Sequence, residues 1–352
     1  MRKKLWALIA MAAVTLTFGV GAALADNPSV MDSNKKVVWK LAHSAYEDDI
    51  IDHYAIKAKD ELEKAFEGKV EIQLFPAGQL GDYVAQQEQL QMGTLEFAMP
   101  VVVSLSTIFP EINFSGINFV LSPSHDVNDK AFREGEAFKV INRKLEGQGI
   151  HVINWISEDF SCWSSNTPLQ KVEDFVGLKI RVYPATQTIE NYKVLKANPT
   201  PIPFAEIYSA LQLNTVSAQE NPLAIIYSNK LYEVQKYVTI SNHTAPIDAF
   251  SASKSFWDKL ARSDQERIEK AMDVVSKYTL AKQIEVRDSA RRKIEESGKT
   301  TILELDPAER LRIIEASRPA ADFFVASTGE EGRKLLDLWL ADVKKYEAEL
   351  GM

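Results

Sequence analysis

A chain of 352 residues with 45% hydrophobic content is long enough to build two lobes, each with its own buried core. Its formal net charge of −8 excludes an electrostatic fit to nucleic acid or to an anionic membrane surface. The single cysteine, Cys162, excludes an intrachain disulfide and a cysteine-rich zinc centre; the five histidines (43, 53, 125, 151, 243) follow no HxxxH or HExxH spacing, so neither metal nor cofactor is expected.

The N-terminus reads as an export signal. Arg2, Lys3 and Lys4 precede an uncharged apolar run from Leu5 to Leu24, and Ala23-Leu24-Ala25 is a small-x-small cleavage site before Asp26. Cleavage after Ala25 and a periplasmic mature chain are expected; the length of the run leaves an uncleaved anchor as the competing reading. No later stretch is apolar enough to span a bilayer.

Val37 to Ala42 predicts a first strand. Asp49 to Phe66 predicts an amphipathic helix with Ile51, Tyr54, Ala58, Leu62 and Phe66 on one face, closed by Gly68. Val70 to Phe75 alternates as a second strand, Tyr83 to Met92 is helical, and Leu95 to Met99 is a third strand. This β-α-β-α-β order implies a parallel sheet covered by helices, with ligands beyond the carboxyl ends of its strands: His43 to Glu47, Pro76 to Asp82 and Pro100 to Ser104. Residues 110–124 read as loop, Val127 to Leu145 as helix and Ile150 to Trp155 as a buried strand. Residues 156–160 are expected to cross into a second lobe with strands near Trp163, Ile180, Pro201 and Val216. Tyr237 to Ser241 and Phe250 to Ser253 lead back. Ser263 to Ser297 contains neither Pro nor Gly and predicts one very long helix; the last helix is expected from about Gly332 to Leu350.

The chemistry concentrates between Val172 and Pro222. Arg181 ends the alternating run Leu178-Lys179-Ile180-Arg181-Val182 and so projects from a strand, while Asn221 follows a short strand signal just before Pro222. A guanidinium fork and an amide at neighbouring strand ends can clamp a carboxylate. The same residues equally allow a surface pair of Arg181 with Glu173 or Asp174, and a helix-capping Asn221.

The segments GLKIRV, PTPIPFAEIYSALQ, AQENPLA and KLYEVQKYV, in this order and spacing, resemble the DctP-type solute-binding subunits of tripartite ATP-independent periplasmic (TRAP) transporters. The resemblance runs from the strand near Trp39 to the C-terminal helices. It implies an α/β, two-lobed periplasmic binding protein fold with a hinge, a long helix spanning both lobes and a helical C-terminus. It places lobe I at 36–158 with a return over about 246–275, and lobe II at 159–245 with part of 276–352. It implies a small organic anion as ligand, membrane subunits of the transporter as partners, and no catalysis; a monomer is the default. By the same resemblance Arg181 matches the carboxylate-pairing arginine, Asn221 its assisting asparagine, and Phe204 the pocket wall. Ser161 stands where many members carry a second arginine, and Trp163, two residues on, is expected to face the same way, with core packing as its alternative. Val101 replaces a glutamate of sialic-acid binders, and Ala45 an acid of the ectoine-binding branch. His43 either lines the cleft or is a satisfied strand-end histidine. A sulfonate or an aromatic acid could use the same clamp. A secreted hydrolase is the remaining alternative, but there is no GxSxG or SxxK; a Glu206/Glu220 carboxylate pair can only be drawn on paper, and Cys162 reads as packed.

Overall fold

A computed structural model describes residues 27–47 and 49–352 of the chain. The expected signal segment, its cleavage point and Asp48 lie outside the described residues. Among the described residues, no helix is long and apolar enough to cross a membrane.

Eleven strands are described: β1 (Val37–Ala42), β2 (Val70–Phe75), β3 (Phe97–Ala98), β4 (Ile150–Ser157), β5 (Ser161–Ser165), β6 (Lys179–Val182), β7 (Asn198–Pro201), β8 (Ala218–Pro222), β9 (Tyr237–Ile240), β10 (Ile247–Ser253) and β11 (Thr301–Glu304). They form two sheets, in the orders β2-β1-β3-β10-β4 and β11-β9-β5-β8-β6-β7. The expected parallel pairing holds: β1 runs parallel to both β2 and β3. The returning strand β10 lies antiparallel between β3 and β4, a placement that alternation alone does not specify.

Two crossings join the sheets, β4 to β5 and β9 to β10, and they run side by side. Glu158 N donates to Pro246 O at 2.9 Å, and Ser161 N to Thr244 O at 2.8 Å. The third link is the helix Arg262–Ser297, 36 residues and about 54 Å long. Ile268, Ala271, Met272 and Val275 of its first half pack in the first lobe with Tyr54, Ala58 and Leu62. Ala290 and Ile294, near its end, pack in the second lobe with Ile207, Leu223 and Ile226.

Three expectations need correction. Residues 127–145 are two helices, His125–Glu134 and Glu136–Glu146, because the chain leaves helical geometry at Gly135 (φ −70°, ψ 151°). There Asp342 reaches in from the C-terminal helix, and its Oδ2 accepts the Ala137 N–H at 2.9 Å. That C-terminal helix begins at Pro319 rather than near Gly332, with a break at Gly329, and buries Phe324, Leu335, Trp339 and Tyr346 in the first lobe. Residues 110–116, read as loop, form a 3-10 helix. The edge strand β11 and the helix Pro307–Ser317 have no counterpart among the expected elements.

Candidate functional site

In β6, period-2 alternation sends Ile180 and Val182 into the core beside Trp163, Phe175 and Tyr192. Arg181 therefore projects from the opposite face. The parallel register Ile180↔Ala218 and the antiparallel register Cys162↔Asn221 put Gln219, Asn221 and Cys162 on that same face. Phe204, in a 3-10 turn after β7, packs on this side too. The structure thus brings Arg181, Asn221 and Phe204 together. Ser161, Trp163 and Glu220 share the other face.

Arg181 is fully buried. Its Nε donates to Ile202 O at 2.9 Å, and its guanidinium carbon lies 4.5 Å from the centre of the Tyr183 ring. Nη1 and Nη2 have no hydrogen-bond partner. Burial lowers the Arg181 pKa, partly offset by Tyr183 and Glu220. No surface pair with Glu173 or Asp174 forms: Glu173 meets Arg312, and Asp174 accepts the backbone N–H groups of Gln170 and Lys171.

Asn221 Nδ2 donates to Gln219 Oε1, leaving Asn221 Oδ1 unpartnered and buried. Gln219 Nε2 in turn donates to Ser164 Oγ at 2.7 Å. In this orientation Asn221 offers an acceptor. Presenting its amide N–H to an anion requires the chain Asn221–Gln219–Ser164 to reverse polarity.

A cavity of about 440 Å³ opens between the lobes. Its first-lobe wall comes from the three loops beyond β1, β2 and β3, including Tyr46, Gly78 and Val103; its second-lobe wall includes Tyr183, Pro203 and Phe204. Gly78 has φ +71°, and a Cβ there would meet Gly81 O at 3.3 Å, so the tight turn that brings this loop to the cavity favours glycine. The lobes touch across the cleft: Tyr46 stacks on Phe204 at 6.3 Å, and Ser228 Oγ donates to Asp49 Oδ1 at 2.6 Å. Tyr183 and Val101 also line a smaller inner cavity of about 50 Å³, with Ser161, Glu220 and Asn118.

Of the expected ligand residues, Phe204 lines the larger cavity and Ser161 the inner one; Arg181 and Asn221 line neither, Arg181 lying behind the Tyr183 ring that does, and two further residues sit elsewhere. Trp163 takes the core alternative: it is fully buried, stacks on His243 at 4.6 Å, and donates Nε1–H to Tyr192 Oη at 2.9 Å. It lines none of the cavities described above. His43 is also fully buried, with Asp52 Oδ1 3.5 Å from its Nε2. Burial pushes its pKa down to about 4, so the ring is neutral at physiological pH. Its neighbours Ser44 and Tyr46 supply the cavity wall instead.

Sequence reasoning missed Tyr83 and Tyr183, and nothing in their flanking residues marks them. It also missed a buried network on the far face of the second sheet. Glu220 Oε2 meets His243 Nε2 at 2.7 Å and the Tyr192 hydroxyl, and His243 Nδ1 meets Ser241 Oγ at 2.7 Å. The paper pair Glu206/Glu220 does not form, since Glu206 is exposed at a helix start while Glu220 is in this network. Cys162 is buried, and burial raises its pKa, which makes it a poor nucleophile.

Residues 41–328 match the family described as DctP, bacterial extracellular solute-binding protein, family 7. The chain belongs to this family. The ectoine/5-hydroxyectoine-binding periplasmic protein UehA of Ruegeria pomeroyi is 30% identical over 332 residues, 94% of this chain and 97% of that one. The C4-dicarboxylate-binding periplasmic protein DctP of Rhodobacter capsulatus is 29% identical over 94% of this chain and 96% of that one. Among solved structures, the periplasmic ectoine-binding protein of the TeaABC TRAP transporter of Halomonas elongata superposes with a TM-score of 0.83 at 27% identity, covering 88% of this chain and 99% of that chain. The chain is thus a TRAP-type solute receptor with the two-lobed fold.

Proposed function

We propose that this DctP-family receptor holds the acid group of a small organic anion on Arg181 in the interlobe cleft and hands it unchanged to a membrane carrier. One observation carries the reading: two guanidinium nitrogens, fully buried and unpartnered, on a side chain packed against the cavity-lining Tyr183. A buried charge left without donors or acceptors is costly, and a bidentate carboxylate satisfies both nitrogens at once. Exclusion of water by the facing lobes strengthens that pair. Asn221 joins once its amide chain reverses, and Phe204 with Tyr46 closes the apolar side.

In this reading the chain is exported by cleavage after Ala25, acts as a monomer, and hinges at 158–161 and 241–247 between a lobe built on 36–158 and one built on 159–245. On this reading it performs no catalysis: Cys162 is buried, and Glu206 and Glu220 do not form a carboxylate pair. The test is calorimetry with organic acids that raise the unfolding midpoint. Wild-type protein should bind and return the acid intact, and Arg181→Met should abolish binding with the fold retained. Undiminished affinity in Arg181→Met removes Arg181 from the site, and turnover of the acid removes the receptor reading.

A further inference from the structure

The large cavity between the lobes has a distinctive wall. Four aromatic residues line it, Tyr46 and Tyr83 from the first lobe and Tyr183 and Phe204 from the second. Most of the remaining lining is apolar, including Val84, Val101, Val103 and Pro203. Among the described residues, no lysine, arginine or histidine lines it, and the one carboxylate is Asp82. Asp82 caps the helix Tyr83–Met92, its Oδ1 accepting the Ala85 N–H at 2.9 Å. The aliphatic hydroxyls are engaged as well. Ser104 donates to Val101 O and Thr107 to Ser104 O, both at 2.8 Å, and Ser44 Oγ accepts the Gln86 amide at 3.1 Å.

This wall limits what the body of a ligand can be. A second acid group finds no cation in it, and an unpaired charge is costly to desolvate. A run of hydroxyls finds few free partners, and each one buried without a partner is penalised. A ring meets rings. Tyr46 and Phe204 come from opposite lobes, with centroids 6.3 Å apart and planes 29° from parallel. Both line the cavity, so a planar ring that enters it stacks on them and gains attraction beyond its buried area.

We propose that the cleft selects a monocarboxylate with an aromatic body, an arylcarboxylate or arylalkanoate, over dicarboxylates and polyhydroxylated acids. This rests on the Arg181 reading above: the acid group is on Arg181 and the ring is in the large cavity. Tyr183 joins the two, because it lines the cavity and its ring centre is 4.5 Å from the guanidinium carbon. At about 440 Å³ the cavity has room for a one- or two-ring acid, and an apolar wall with few polar groups suits such a guest.

The experiment is thermal shift and then calorimetry on wild-type protein with acids matched in carbon count. Benzoate, phenylacetate and 3-phenylpropionate are each set against the cyclohexyl counterpart, butyrate against succinate, and hexanoate against gluconate. At least one aromatic acid should bind about 100-fold or more tighter than succinate and gluconate. The same acid should bind about fivefold or more tighter than its cyclohexyl counterpart. The double variant Tyr46→Leu/Phe204→Leu, checked for an intact melting transition, should cut that second ratio below about twofold. Succinate or gluconate binding as tightly as the best aromatic acid, with that binding lost in Arg181→Met, overturns the aromatic class and leaves the Arg181 receptor standing. So does equal binding of the cyclohexyl acids by wild type, or a double variant that keeps the full ratio. Aromatic binding that Arg181→Met leaves unchanged overturns the Arg181 reading and, with it, the placement of the acid group proposed here. Absence of binding by every acid overturns both.

Discussion

Replacing Arg181 by Met should make the unliganded protein more stable while removing its ligand binding. The side chains have similar length, so the slot between Ile202 and Tyr183 stays filled. What is lost is one charge-assisted bond, Nε to Ile202 O at 2.9 Å, worth about 1.5–3 kcal/mol, and the contact with the Tyr183 ring at 4.5 Å, worth about 1–2 kcal/mol. What is relieved is a fully buried guanidinium with two unpartnered nitrogens. Leaving a buried charge uncompensated costs about 3–5 kcal/mol, and each unpaired buried donor adds about 1–3 kcal/mol. Relief therefore exceeds loss, and the melting midpoint of the unliganded variant should rise by several degrees. The assay is urea and thermal unfolding of both proteins without ligand, then calorimetry with a ligand of the wild type. A variant destabilised by more than about 1 kcal/mol that still binds would refute the reasoning, because Arg181 would then be a structural residue whose partners are already sufficient.

Trp163→Phe should destabilise the fold by about 2 kcal/mol through the lost Nε1–Tyr192 bond and the void beside His243, without altering ligand affinity. Weakened binding at unchanged stability would return Trp163 to the site. Gly135→Ala places a Cβ 2.3 Å from Ala131 O and 2.6 Å from Asp342 Oδ2, so it should cost about 2–3 kcal/mol; a midpoint shift under 1 °C would mean that the helix junction yields freely. His43 and two buried acids beside the hinge crossings, Glu158 and Asp248, impose opposite pH slopes. The lowered His43 pKa gives stability that is present above about pH 6.5 and lost as pH falls toward about 4. The raised Glu158 and Asp248 pKa values give stability that is present at low pH and lost as pH rises from about 4 through about 7. His43→Asn should therefore reduce the loss of unfolding free energy as pH falls from about 7 to about 4, read from urea melts, while His151, whose burial also lowers its pKa, keeps its own share of that loss. A pH profile identical to that of the wild type would show that His43 is not held neutral by burial.

Much of the architecture was already written in short-range patterns. Alternation marked β2 and β6, an apolar run marked β1, and the uninterrupted run 263–297 marked the long helix, because each depends on local backbone preference and the position of Gly and Pro. The strand ends beyond β1 and β2 pointed to the cavity for the same reason: a β-α-β order fixes which end of a parallel sheet is open. Family resemblance singled out Arg181, and alternation gave the face from which it projects.

Sequence could not say which residues would share that face. Ser161 and Trp163 alternate together as expected, but the antiparallel register of β5 on β8 turned both away from Arg181 and Asn221, and register is set by pairing over some sixty residues of chain. Gly135 breaks a helix only because Asp342 arrives from the far C-terminus. Glu158 and Asp248 lie ninety residues apart and carry no motif. Burial holds both carboxyls above the ordinary carboxylate range, because two crossings of the hinge run side by side and exclude water there. Local propensity determined the elements; long-range packing, which alone brings charges together in a low dielectric, decided the chemistry of the cleft.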